Sequence, residues 1–87
     1  MTSLKDPFQA QEIARSAAGA DAGKDDLVGK LIDIEVDQET IATYLFESNL
    51  PGYKAWRWAV TISRIEDDQP AVCDVVLLPG PDALLAP

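Results

Sequence analysis

The chain has 87 residues, with 7 Lys plus Arg against 15 Asp plus Glu, and its formal net charge is −8 at pH 7. It contains no His and one Cys, which excludes Ser/His/Asp and Cys/His catalytic sets, histidine-ligated zinc and an internal disulfide. A chain of this length fits one small domain, here residues 1–87, with a thin core. Its acidic balance disfavours binding to duplex DNA and to anionic membranes.

The N-terminal residues predict a helix. Asp6 suits the N-cap position and Pro7 the first helical position. The apolar residues that follow recur at helical spacing and are mostly alanine: Ala10, Ile13, Ala14, Ala17 and Ala18. So narrow a stripe predicts a helix that lies close against a sheet. Residues 25–29 predict one further short helical turn, ending at Gly29.

From residue 31 the apolar period changes from 3.6 to 2, which predicts a strand over 31–37 and a returning strand over 40–47. The register of this hairpin stays open at residues 37–39. A two-residue turn sets Ile41 and Leu45 beside the isoleucines of the first strand. A three-residue turn sets Ala42, Tyr44 and Phe46 there instead.

Two more strands are predicted over 55–65 and 71–78, after a turn at Pro51 and Gly52. In the last strand Cys73 shares an apolar face with Ala71, Val75 and Leu77, which predicts an inert core thiol. Connections this short cannot hold crossover helices. The sequence therefore predicts an α+β fold, with one or two N-terminal helices packed on a four-stranded, mainly antiparallel β-meander.

The acidic residues of the first hairpin invite a metal interpretation, which their spacing disfavours. Asp33, Glu35, Asp37 and Glu39 stand two apart, and carboxylates at that spacing on a strand are roughly 6.5–7 Å apart. Bulky residues lie between them and no glycine follows, unlike a calcium loop. The sequence thus predicts no metal, and it shows no cofactor motif and no catalytic set at recognisable spacing.

Residues 48–65 contain three bases, aromatic residues and no acid. We interpret the chain as a non-enzymatic protein-interaction or regulatory module whose partner-binding residues are Tyr53, Lys54 and Arg57, between two Leu-Pro-Gly turns; the partner is another protein or a second copy. Two alternatives stay open. One is weak binding of single-stranded nucleic acid through segment 48–65. The other, least favoured, is a small enzyme with Asp, Glu and Tyr as acid–base groups.

Arg57 and Asp74 also have a purely structural interpretation. Arg57 could pair with Asp33 or Glu35 on a neighbouring strand, and Asp74, if its face is covered, would need Arg57 or Arg64 as its partner.

Two long runs carry a family resemblance: residues 50–61 (LPGYKAWRWAVT) and residues 73–87 (CDVVLLPGPDALLAP). With Ala14, Arg15 and Phe46, they resemble the actinobacterial domain of unknown function 3027 family. The resemblance implies a cytoplasmic protein without an assigned activity, of which this chain is an N-terminal part. The lone thiol and the absence of a signal-peptide or membrane-span pattern also favour the cytoplasm.

We expect nucleic-acid binding by segment 48–65 to be weak and to vary little with salt. Three bases release few counterions, and the net charge of −8 opposes approach to phosphates. Titration of single-stranded and duplex oligonucleotides at two salt concentrations checks this. Tight binding to duplex DNA at physiological salt would contradict it.

Overall fold

The computed structural model describes residues 9–38, 40–53, 55–64 and 69–81. A single α-helix, α1 (Gln11–Ala22), and a short 3₁₀ turn (Asp25–Leu27) precede four strands: β1 (Val28–Gln38), β2 (Ile41–Ser48), β3 (Trp56–Ser63) and β4 (Ala71–Pro79). The strands pair antiparallel in the order β1-β2-β3-β4. The predicted α+β meander is therefore confirmed, with one α-helix. The predicted helix start at Asp6 and Pro7 lies outside the described residues.

Helix α1 packs on the sheet through alanine, as its sequence predicts. Ala10, Ala14 and Ala18 recur every four residues and are fully buried. Ile13, which the same stripe included, is instead 38% exposed, so the contact face is narrower than expected. The helix ends at Gly23, which has the left-handed φ of 95° and donates its N–H to the Gly19 carbonyl at 2.9 Å.

The β1–β2 hairpin settles the open register. Val36 pairs with Ala42, Ile34 with Tyr44 and Leu31 with Phe46, so Ala42, Tyr44 and Phe46 lie beside the apolar residues of β1. Three register shifts interrupt this pairing, and β1 therefore uses 11 residues against the 8 of β2. Only residues 39 and 40 connect the two strands, which is the length of a two-residue turn. The register is nevertheless the one expected for a three-residue turn, because a bulge beside Asp37 shifts the pairing.

The first strand also begins earlier than predicted. Gly29 lies inside β1 and does not end a helical turn. A Cβ at this position would stand 2.8 Å from the Cβ of Glu47, so a glycine lets β1 approach β2 closely here. Strict alternation with the acids places Ile32 and Ile34 on one face, and this prediction fails because the shift between Leu31 and Asp33 interrupts the pleat.

The core lies between α1 and one face of the sheet, which we call the helix face. Its largest fully buried side chains are Tyr44, Phe46, Val60 and Ile62. The opposite face, which no described helix covers, is the open face. Leu45 and Ala59 pair on it and are 7% and 4% exposed.

Cys73 is the clearest error of the sequence prediction, because its thiol is exposed. A register shift between the pairs Thr61–Asp74 and Ile62–Val72 leaves Cys73 as an extra residue in β4. The face that Cys73 was expected to share with Val75 and Leu77 is therefore interrupted at this point, and the strand lies at the edge of the sheet.

Three consecutive backbone carbonyls, those of Asp26, Leu27 and Val28, join the helix to the sheet. The Leu27 carbonyl accepts the Asn49 backbone N–H at 2.9 Å and the Trp58 indole N–H at 3.3 Å. The Asn49 side-chain amide donates to the Asp26 carbonyl at 3.2 Å. Arg15 of α1 donates to the Val28 carbonyl at 3.2 Å, and its guanidinium lies 4.9 Å from the Phe46 ring centroid. We call this group the carbonyl junction.

Replacing Trp58 by Phe removes one donor from the carbonyl junction and leaves a small void. We expect the free energy of unfolding to fall by about 1–2 kcal/mol. Trp56→Phe is the matched control, since Trp56 is half-buried and its indole N–H has no hydrogen bond to a described residue; its cost should stay below about 1 kcal/mol. Urea unfolding followed by circular dichroism measures both, and equal losses would contradict the role of the junction.

Candidate interaction site

The site lies at the end of the sheet where β2 turns into β3. The Tyr53 N–H donates to the Leu50 carbonyl at 3.0 Å, and Gly52 has a φ of 83°. This geometry is a tight turn with Pro51 and Gly52 at its centre, as the sequence predicts. The Ser48 hydroxyl, on a residue only 7% exposed, accepts the Leu50 N–H at 3.2 Å and fixes the start of the turn.

The second Leu-Pro-Gly run does not form a matching turn. Pro79 is still paired with Trp56, and Gly80 donates its N–H to the Ala55 carbonyl at 2.9 Å. A Cβ on Gly80 would stand 2.4 Å from that carbonyl oxygen and 3.1 Å from the Nε of Arg57. The glycine is thus required by close backbone approach, whereas the sequence suggested a chain reversal.

Ala55 adopts a left-handed φ of 70°, which is strained for a residue with a Cβ. Such a conformation costs roughly 1–2 kcal/mol. Its carbonyl meets Gly80, and the Trp56 N–H that follows bonds to the Tyr53 carbonyl at 3.2 Å. The strained residue therefore holds the start of β3 against the end of β4.

A cavity of about 270 Å³ opens at this end of the sheet. Its walls come from β1, β2 and β3 and from the segments that precede β3 and follow β4: Ile32, Glu47, Ser48, Ala55, Trp56, Arg57 and Pro81. Alternation along β3 predicts Trp56 and Arg57 on opposite faces, yet both line this cavity; Trp56 is the first residue of the strand.

Arg57 has no ion-pair partner among the described residues. Its neighbours across the sheet are Glu47 on β2 and Leu78 on β4. The predicted pairing with Asp33 or Glu35 is wrong, because β2 separates β1 from β3. Its side chain is half-buried, and its Nε lies beside Gly80.

Asp74 lies on β4 opposite Thr61 and is exposed. Its carboxylate accepts the Val75 N–H at 3.0 Å and forms no ion pair with a described residue. Neither Arg57 nor Asp74 therefore forms, with a described residue, the ion pair that the purely structural interpretation of these two residues expected.

Tyr53 is 43% exposed and packs edge-on against Trp56, with ring centroids 5.2 Å apart. Lys54 lies outside the described residues. Of the three predicted partner-binding residues, the structure thus places Tyr53 on the turn and Arg57 in the cavity, with Trp56 between them in sequence and in contact with Tyr53. Glu47, one residue before the segment chosen from sequence, was missed; the hairpin register that pairs it with Arg57 is the signal that could have found it.

The basic residues of segment 48–65 do not form one described surface. Arg57 and Arg64 lie at opposite ends of β3, roughly 23 Å apart at the rise of an extended strand. Trp58 is 3% exposed, so its ring is not available for stacking on a base. Glu47 adds an acid beside Arg57.

Among the described residues, no group of three or more Cys, Asp or Glu side chains is placed to hold a metal ion. Every buried side-chain nitrogen and oxygen in that part of the chain has a hydrogen-bond partner. No helix within the same residues has the length and apolar character needed to cross a membrane.

Residues 29–87 match the family model described as "Protein of unknown function (DUF3027)", and the chain belongs to this family. The match takes in the sheet from Gly29 onward and all the cavity walls. Uncharacterized proteins of Mycobacterium bovis and of two Mycobacterium tuberculosis strains are 38% identical to the chain over 79 residues. The aligned part is 90% of this chain and 30% of each relative, so the chain spans under a third of their length. No solved structure matches it significantly.

Replacing Gly80 by Ala should disturb the site by overpacking. The new Cβ collides with the Ala55 carbonyl, and we expect the free energy of unfolding to fall by about 1–3 kcal/mol. The Arg57 Nε–H resonance should also move. Gly52→Ala is the control, because its Cβ would meet no atom within 4 Å; it should cost stability through φ alone and leave that resonance in place. Wild-type stability and an unmoved Arg57 signal in the Gly80 variant would contradict the assignment.

Proposed function

We propose that this domain is a cytoplasmic, non-enzymatic protein-interaction module that contacts its partner through Tyr53, Lys54 and Arg57, with Trp56 as a fourth contact residue. The observation that carries the proposal is the position of Arg57. Arg57 has no ion-pair partner among the described residues, and it lines an open cavity together with Trp56. An arginine held in this way is available to an outside carboxylate.

The composition of the surface supports a protein partner. Trp, Tyr and Arg are the residue types most enriched among the few that dominate binding energies at protein interfaces. Here one of each lies within five consecutive residues, and Tyr53 and Trp56 are already packed against each other. Because the turn at Gly52 and the contact at Gly80 hold this segment, little conformational entropy is lost when a partner binds.

Electrostatics narrow the kind of partner. The chain has a net charge of −8, so a partner whose own surface is basic is attracted to it at long range. At short range Arg57 favours a carboxylate and Glu47 favours an ammonium or guanidinium group. A segment carrying both signs, together with an apolar side chain for the Trp56 ring, fits these walls best.

The alanine variant Y53A/K54A/R57A tests the proposal. The double variant K24A/K30A is its charge-matched control, since both of these lysines are exposed elsewhere on the chain. Surface substitutions away from buried features usually change stability by about 0.5 kcal/mol or less, so both variants should melt within a few degrees of wild type. Immobilised domain is exposed to a lysate of the native host, and bound proteins are quantified by mass spectrometry.

We expect the triple variant to lose its specific partners and the lysine control to keep them. The proposal fails if the triple variant unfolds, if it keeps the partners of the wild-type domain, or if K24A/K30A loses them equally.

A further inference from the structure

The two edge strands of the sheet are built differently. The β1 edge carries four charged residues and three register shifts, both of which hinder the addition of another strand: Lys30, Asp33, Glu35 and Asp37. The β4 edge carries one charged residue, Asp74, and a single shift. Its Val72, Val76 and Leu78 are 41%, 37% and 46% exposed. Within the described part of the chain, no strand pairs with this outer edge.

The regular part of β4 is symmetric about one residue. The shift at Cys73 interrupts the register on one side, and on the other side Pro79, although paired with Trp56, has no N–H to donate to a further strand. Between them lies Asp74–Leu78, whose central residue is Val76. A two-fold axis through Val76 would pair Val76 with itself, Val75 with Leu77, and Asp74 with Leu78.

We propose that β4 pairs antiparallel with β4 of a second copy of this chain about that axis, joining two sheets into one of eight strands. The inference rests on the proposed function, because it names a second copy as one protein that the module binds. On the open face, Leu45, Ala59 and Val76 form a cross-strand row. The pairing continues this apolar row into the same row of the second copy and covers both Val76 side chains.

Charge complementarity selects a second copy as the occupant. Arg57 neighbours Leu78, and Leu78 would neighbour Asp74 of the second copy. Arg57 and that aspartate would then lie two strands apart, about 10 Å between Cα atoms. An arginine can lay its apolar stem along the leucine and reach the carboxylate. The Arg57 Nε already lies beside Gly80, the residue that follows β4.

The symmetry forms this ion pair twice, and it uses the two charged residues of β3 and β4 that have no ion-pair partner among the described residues. It also replaces a local contact. In one copy the Asp74 carboxylate accepts the Val75 N–H at 3.0 Å. Pairing with the second copy supplies a backbone carbonyl for edge amides and releases the carboxylate for Arg57.

The net charge of −8 on each copy opposes association at long range. At physiological ionic strength the Debye length is about 8 Å, so most of that repulsion between distant charges is screened. We therefore expect the dimer to weaken as ionic strength is lowered.

Sedimentation equilibrium of the whole chain tests the inference, since a dimer has twice the 9.4 kDa mass of one chain. Val76→Lys sets two ammonium groups opposite each other and should lower the association constant by about tenfold or more. Val36→Lys is the matched control, because Val36 is 57% exposed on the opposite edge; it should associate like wild type. Circular dichroism verifies that both variants are folded.

A charge exchange tests the same interface without touching Val76. Asp74→Arg and Arg57→Asp should each lower the association constant by about tenfold, and the double variant should recover most of the loss. A chain that stays monomeric at its highest workable concentration overturns the inference, as does a Val76→Lys variant that associates like wild type or a double variant without recovery.

Failure of this inference is distinguishable from failure of the proposed function. If the domain is monomeric but its Tyr53→Ala variant loses the partners, the proposed partner-binding surface stands and only the proposed dimer is refuted. If the domain is a dimer that Val76→Lys disrupts, but the Tyr53→Ala variant keeps every other partner, the proposed dimer is supported. The proposed partner-binding surface is then refuted.

Discussion

The fold depends on the position at which the chain passes from the helix into β1. The carbonyl junction at Asp26–Leu27–Val28 determines this position. Donors from three separate elements converge there: Arg15 from α1, Asn49 from the end of β2, and Trp58 from β3. A thin core cannot hold a helix on a sheet by apolar area alone. Directional bonds to partly buried carbonyls compensate by fixing both the first residue of β1 and the position of the β2–β3 loop. The turn and the strained Ala55 are thus positioned from the far side of the sheet.

The position of the main core, between α1 and the helix face, explains part of the distribution of exposed apolar residues. Helix α1 presents alanines, which permit close approach but cover little width. The central strands β2 and β3 contribute the fully buried side chains, whereas β4 is exposed over most of its length. A strand in this position loses much of the stabilisation that burial gives unless another surface covers it. The acids of β1 protect the opposite edge, so the two edges of one small sheet have different surface chemistry.

Local patterns predicted the parts of the structure that local physics determines. The antiparallel order, the strand positions to within three residues, the alanine stripe and the turn at Pro51 and Gly52 all follow from periodicity and turn chemistry. The errors arise where contacts between distant residues decide. The bulge at Cys73 reverses the side-chain alternation that placed its thiol in the core. Gly80 is glycine because the Ala55 carbonyl approaches it, which no pattern around residue 80 reveals. Glu47 could not be assigned as the cross-strand neighbour of Arg57 before the register of β2 against β3 was known.

The same long-range contacts connect stability to binding. Ala55 keeps a conformation that costs free energy on its own, and it does so because its carbonyl bonds to Gly80. This bond closes the start of β3 onto the end of β4 and leaves Arg57 beside Gly80, where no Cβ obstructs the guanidinium. Strain at a loop residue that is maintained by the surrounding structure is typical of positions under functional constraint. The strained loop and the cavity therefore form one continuous region, and Arg57 both lines the cavity and lies beside Gly80 at the end of β4.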